Sequence, residues 1–304
     1  MEEVSVIIIA YNIEQYIEKC IINEWALKDK RIKIINQVNK GAIEARKAGL
    51  DKCNGKYVLF VDGDDWLELN AIERLYNEIE QDQADIVVYN SYIVDDFGRK
   101  IVRSFNIEIY NDKDLLKNLL IGKSSPFLWD KFIRKSFIIE NKVKFPKEVS
   151  YSEDLAALVE IYSKHPKVSV LGEELYNYYQ RVDSATKQLN NKSLDICKSI
   201  DFIHEVLEEN KLYNIFLDEL EMCIYLNLFI YVVINFNKHN AYNKSLYRMY
   251  KKKNINIIKN QYINEHIGSY NKNGQVRIRL YNRSYYLGCF YDYIRKIIKC
   301  IINK

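Results

Sequence analysis

The chain has 304 residues, 48% of them hydrophobic and 28% charged, with a formal net charge of +4. That composition excludes a disordered polyelectrolyte, and the length gives a core that stands without staples, in one large domain or two modest ones. The six cysteines (Cys20, Cys53, Cys197, Cys223, Cys289 and Cys300) lie far apart, with no C-x-x-C pair, which excludes a disulfide framework or a cysteine metal cluster. MEE followed at once by VSVIII lacks the basic segment and cleavage site of a secretory leader, so the expected location is the cytoplasm. CIYLNLFIYVVINF, residues 223–236, falls short of the ~20 residues that a membrane span needs and reads as a buried helix. Charge is unevenly spread: residues 241–304 hold fourteen Lys and Arg against Glu265 and Asp292, or +12, which leaves −8 for the rest. Such a basic tail fits nucleic acid, an anionic membrane surface or a solvated face.

VSVIIIAYN, residues 4–12, is a continuous apolar run that predicts a central parallel strand covered on both faces. Helical spacing follows over 13–28, RIKIIN predicts a second strand over 31–36, and GAIEARKAGLDKCNG reads as a helix closed by Gly55. YVLFVD is the third strand, residues 70–81 the next helix, and ADIVVYNSYIVD the fourth strand. Strands alternating with helices at this spacing predict a doubly wound α/β sheet whose ligands sit beyond the carboxyl ends of the strands. From 106 to about 184 the pattern becomes α+β, with helices at NDKDLLKNLL and SEDLAALVEIYSK and a short strand at KVSVLG. Beyond Thr186 the chain is helical, and the boundary between the two parts is expected at 188/189, with a division of the first part near 105.

Asp62, Asp64 and Asp65 follow the third strand directly, in YVLFVDGDDWL. Carboxylates crowded at a strand end repel one another unless a cation sits among them, and hard oxygen ligands suit Mg²⁺ or Mn²⁺ shared with substrate phosphates. The alternative is helix capping, in which Asp64 and Asp65 satisfy orphan N–H groups and suit the dipole.

VSVIIIAYN, NKGAIEARKAG, GKYVLFVDGDDWL, FLWDKFIRKSFI, YSEDLAALV and LYNYYQRVDSAT, in that order, resemble the family 2 glycosyltransferases of GT-A fold over residues 4–186. The resemblance implies a GT-A-like, mostly parallel doubly wound sheet with helices on both faces, followed by a helical C-terminal region. It implies an inverting transfer of a sugar from a nucleotide diphosphate donor to an acceptor hydroxyl, with a divalent cation. Asp62 and Asp64 would be the metal ligands, and Asp154, with Glu153 beside it, the general base. Ala10, Tyr11, Glu14, Arg46, Asp62 and Arg181 would line the donor site. Trp129 and Lys131 also fall in motif positions, Trp129 as core or as a sugar platform. Read from the residues alone, Glu153 and Asp154 are rather a first-turn acidic pair after the N-cap Ser152. Relatives carry a further strand and a D-D-G-S-type base-binding turn after the first helix; here IEKCI runs straight into INEWALKDKRIKII, so that segment is expected to be missing, with the strand at Ile32 pairing beside the first.

In the tail Leu287, Phe290, Ile294, Ile297, Ile298 and Ile301 recur at helical spacing, with Asp292, Arg295, Lys296, Lys299 and Lys304 on the other side. Such a helix either rests on an anionic membrane or docks on the protein. No nucleic-acid motif accompanies the charge, so nucleic acid is not expected as a partner. The expected function is a cytoplasmic, membrane-peripheral glycosyltransferase with a cell-envelope or capsular glycan, or a lipid-linked glycan, as acceptor. The alternative is a non-catalytic homologue serving as a partner subunit. An aspartyl-phosphate enzyme also places carboxylates after a strand.

Overall fold

A computed structural model describes residues 3–10, 26–104, 110, 114–180, 191–235 and 241–302. It divides into two compact units: Met1–Leu119 with Lys123–Gln188, and Leu120–Gly122 with Leu189–Lys304.

The first unit is built on a seven-stranded sheet: β1 (Val4–Ile9), β2 (Tyr57–Asp62), β3 (Trp66–Leu67), β4 (Ile86–Val94), β5 (Lys100–Arg103), β6 (Lys131–Arg134) and β7 (Val168–Tyr179). Their order is β1-β2-β6-β4-β7-β3, with β5 alongside β4. The two longest ladders, β1 with β2 and β4 with β7, are parallel and carry most of the paired residues. The short β6 enters antiparallel between β2 and β4. The helices of this unit are α1 (Ala42–Lys52), α2 (Ala71–Asp82), α3 (Leu115–Leu120), α4 (Lys135–Glu140) and α5 (Glu153–Tyr162). The α/β fold with a helical C-terminal region is as the sequence predicts.

Tyr57, Val58, Leu59, Phe60 and Val61 are all buried, as are Ile86 to Tyr89, because both strands are covered on both faces. Leu75 and Ile79 of α2 pack onto one face with Trp129, Phe132, Leu175 and Tyr176. At Gly55 the chain enters β2 so close to β1 that a Cβ there would lie 2.6 Å from the Ser5 nitrogen and 2.8 Å from the Val4 carbonyl carbon.

Two sequence expectations fail here. RIKIIN forms no strand: residues 32–40 are irregular, and Ile32, Ile34 and Ile35 are exposed. Arg31 turns back onto Asp29 instead, and no described element covers the isoleucines, so ladder bonds have no burial to accompany them and do not offset the ordering cost. In consequence β1 is an edge strand among the described residues, with Ile7 buried but Ile8 60% exposed, and not a central one. The segment in which a strand is expected to be missing, 11–25, lies outside the described residues. KVSVLG proves to be the start of a twelve-residue strand that takes in LYNYY.

The second unit is helical: α6 (Ile196–Glu209), α7 (Leu217–Ile224) running into a π-helical stretch (Tyr225–Asn235), α8 (Ala241–Lys252), α9 (Gln261–Gly268), α10 (Lys272–Arg283) and α11 (Tyr285–Ile302). Tyr225, Leu228 and Phe229 are fully buried, as expected of a core helix in this stretch. Asn260 and Asn271 cap α9 and α10, their side chains accepting from Ile263 N–H (3.1 Å) and Gly274 N–H (2.9 Å).

Candidate active site

The site lies at the carboxyl end of β2. Register pairs Ile9 with Asp62, so exposed Ala10 stands beside the turn that Asp62 opens. That turn closes through Asp65 N–H donating to the Asp62 carbonyl at 3.0 Å. Its carboxylates are held separately. Asp65 accepts from the Tyr176 hydroxyl (2.7 Å) and from Tyr179 N–H (2.8 Å), which ties the turn to the end of β7. Burial pushes the Asp65 carboxyl up to about 7 against those two hydrogen bonds. Tyr176 also accepts from Asp62 N–H at 3.1 Å. Its own hydroxyl is raised by burial and by Asp62 and Asp65, so it remains a donor.

Asp62 turns the other way, to Arg46. Ile43, Arg46 and Leu50 form the buried stripe of α1, which sets the guanidinium beneath the strand ends. Its Nη2 donates to Asp62 Oδ1 at 2.9 Å and its Nη1 to Asp154 Oδ1 at 2.6 Å. One cation therefore joins carboxylates that are 16 and 108 residues away in sequence. The remaining Asp154 oxygen accepts from Leu128 N–H at 3.0 Å. Arg46 Nε is buried with no protein acceptor, a donor left inside the site. Burial pushes Asp154 up to about 7, with Arg46 pulling down and Glu153 and Asp62 pushing up; Glu153 is raised too, chiefly by burial.

Glu153 and Asp154 open α5 after Ser152, whose backbone is left-handed (φ 57°) and whose side chain makes no capping bond. A non-glycine residue held there costs ~1–3 kcal/mol, the kind of strain that collects at functional sites. Glu153 and Asp154 are thus a first-turn acidic pair, and Asp154 is in addition held by Arg46 and Leu128 N–H. The loop that presents Leu128 is fixed by a fully buried ion pair, Lys131 with Asp130. Asp130 also accepts from the Ser125 hydroxyl, and Lys131 donates to the Phe127 carbonyl at 3.1 Å. Trp129 is core, stacked on Tyr176 and Tyr178 with ring centroids 4.5 and 5.8 Å apart.

The structure thus brings Ala10, Arg46, Asp62, Asp64, Glu153 and Asp154 to one end of the sheet or to Arg46 and its partners. Tyr11, Glu14 and Arg181 lie outside the described residues. Sequence reasoning missed Tyr176, whose one hydroxyl ties two of the acidic positions together; the alternating tyrosines of LYNYY were its only signal. It also missed Trp66, an exposed indole beside Tyr179 at the edge of the same turn. Among the described residues no three His, Cys, Asp or Glu side chains converge as a self-sufficient metal site. Asp62, bonded to Arg46, and Asp64 stand on one turn, and two carboxylates are a hard-oxygen donor set of the kind that a divalent cation takes together with phosphates.

The profile of Glycosyl transferase family 2 matches residues 21–138. A cholesterol galactosyltransferase of Borreliella burgdorferi is 30% identical over 259 residues, spanning 78% of this chain and 70% of that protein. The putative glycosyltransferase EpsH of Bacillus subtilis is 26% identical over 62% of this chain and 64% of its own length, and a poly(ribitol-phosphate) β-glucosyltransferase of Bacillus spizizenii is 30% identical over 53% and 25%. The chain thus spans somewhat under two thirds of EpsH and a quarter of the last. Residues 1–349 of Staphylococcus aureus TarS, crystallised with UDP-GlcNAc, superpose with a TM-score of 0.66 at 16% identity, covering 95% of this chain and 89% of that one. The chain belongs to glycosyltransferase family 2. It is a glycosyltransferase, with the α/β fold seen in TarS.

Proposed function

We propose that the chain moves a sugar, with inversion at the anomeric carbon, from a nucleotide diphosphate sugar to a hydroxyl of a cell-envelope or capsular glycan or of a lipid-linked acceptor. The acceptor class is suggested by relatives named for cholesterol and for poly(ribitol phosphate). Work would be done in the cytoplasm, with the basic C-terminal helix against the inner face of the membrane. The reading is carried by one observation, the Arg46 guanidinium that joins Asp62, at the strand end, to Asp154, at the start of α5.

Asp62 and Asp64 would hold Mg²⁺ or Mn²⁺ together with the donor diphosphate, and the cation would stabilise charge on the leaving phosphate oxygens. Asp154 accepts the acceptor's proton as its oxygen attacks from the side opposite the diphosphate. Each carboxylate oxygen has two lone pairs, so the bonds from Arg46 and Leu128 orient Asp154 and still leave a position for that proton. A pKa near 7 makes it a base that both takes and releases a proton at neutral pH. Ala10, Tyr11, Glu14 and Arg181 complete the donor site in this reading.

Calorimetric titration of nucleotide diphosphates, with and without Mn²⁺, tests it. One nucleotide should bind only with the metal, and Asp64→Ala should abolish that dependence; unchanged binding in the variant would remove Asp64 from the site. A second reading, a non-catalytic partner subunit, draws on the edge position of β1 among the described residues and on the irregular 32–40 segment. A folded protein that binds no nucleotide diphosphate would favour it.

A further inference from the structure

The last helix, α11, has two unlike faces. The inner face docks on α10: Asp292 accepts bidentately from Arg277 (2.7 and 2.8 Å) and from the Tyr281 hydroxyl at 2.7 Å. Tyr285 is buried on this face, and Gly288 leaves the room in which the Tyr281 ring lies. The outer face carries Tyr286, Leu287, Phe290, Tyr293, Ile294, Ile297 and Ile298, all exposed, with Phe290 at 61%, Tyr293 at 62% and Ile298 at 48%. At about 100° per residue these seven fall within roughly 140° of the helix circumference, a continuous apolar and aromatic band about three turns long. An apolar band of this extent on a water-facing helix marks an interaction surface.

The charge around the band says what covers it. Lys244 donates to the Tyr286 hydroxyl at 2.6 Å, and Arg248, on the same face of α8, also acts on Tyr286. Arg283 and Lys296 are exposed, and Arg295 lies over the Tyr291 ring. The acid on the helix, Asp292, is already neutralised by Arg277. Residues 241–304 hold fourteen cationic side chains against two acidic ones. Cations bordering an aromatic and aliphatic band match a surface with anionic headgroups over acyl chains, whereas a second copy of the chain would set these cations against each other. No described helix is long and apolar enough to cross a membrane, so the contact is in the plane of the surface.

We infer that the outer face of α11, with Lys244 and Arg248 beside its Tyr286, is a docking surface for an anionic lipid bilayer, an inference that rests on the membrane-facing location within the proposed function. The band enters the headgroup region while α10 holds the helix from the protein side. Docking holds the enzyme where lipid-linked acceptors lie.

Co-sedimentation of the full chain, without donor, with phosphatidylcholine vesicles lacking or containing phosphatidylglycerol tests this surface. Binding should be roughly tenfold or more tighter to the anionic vesicles and fall with added salt. Phe290→Asp with Ile297→Asp should abolish it, and Lys244→Glu with Arg248→Glu should remove the preference for anionic lipid. Phe290, Ile297 and Arg248 are exposed and Lys244 is half-buried, so circular dichroism and the melting temperature should stay close to those of the parent chain. Equal binding to both vesicles, or binding that survives Phe290→Asp with Ile297→Asp, overturns the proposal. So does an absence of vesicle binding together with self-association in sedimentation velocity that the same double variant abolishes, which would assign the band to a second copy. Loss of vesicle binding alongside intact metal-dependent nucleotide binding would sink this surface and leave the transfer reading standing.

Discussion

In the proposed transfer, Asp154 is the residue on which the chemistry turns. Its proton is released near pH 7 in the folded chain, so kcat/KM should climb with rising pH to a plateau above that value. Asp154→Asn should lower kcat by roughly 10²–10⁴ with donor binding intact, and full activity in the variant would remove Asp154 as base. Arg46 holds the carboxyl down, so Arg46→Gln should move the acid limb to higher pH, which a merely structural role would not do. The same shift has a stability consequence. Asp154 is raised above its ordinary value of 3.8, so the folded chain keeps a proton that the unfolded chain has released. Its contribution is full below about 4 and is lost as pH rises toward about 7. Denaturant melts across that interval should flatten in Asp154→Asn. Lys131 is a different case, a cation sealed with Asp130 and serving the loop that presents Leu128. Lys131→Met leaves Asp130 buried and unpaired and should cost about 3–5 kcal/mol in urea titration.

At the scale of elements, the sequence was legible where apolar runs and helical spacing coincided with what the fold buries. β2, α2, β4 and α5 are such cases. β6 escaped notice because KFIR is four residues long and begins with a lysine, and a charge reads as surface unless its buried partner is known. RIKIIN misled for the opposite reason: alternation of Ile32 and Ile34 with Arg31 and Lys33 is a strand pattern, but a strand also needs a neighbour and a cover, which local pattern does not report. Motif order singled out Arg46, Asp62, Asp64 and Asp154, but not that Arg46 binds two of the acids. That pairing is set by how α1, β2 and α5 converge. Gly55 shows how tightly such elements meet. Gly55→Ala would press its methyl group against the backbone at Val4 and Ser5, which has no side-chain rotamer to give way, and should cost about 1–3 kcal/mol by chemical denaturation.

For the molecule as a whole, two compact units imply that a ligand of the first need not stabilise the second. Donor nucleotide with Mn²⁺ at a hundredfold excess over Kd should contribute about 2.7 kcal/mol to the unit that binds it, or a rise in Tm of roughly 5–10 °C. Differential scanning calorimetry of the full chain should show the transition of the sheet unit moving up and that of the helical unit unmoved. A common shift of both would mean that they melt as one body. The shared guanidinium of Arg46 also bears on how the protein is made. Asp62 leaves the ribosome soon after Arg46, but Asp154 follows Arg46 by 108 residues, about 5–20 s of synthesis. Throughout that interval the nascent chain holds a cation built for two carboxylates and owns only one. The cluster around Arg46 is therefore among the last parts of the sheet unit to be completed, and a chain that stalls before α5 is released without it.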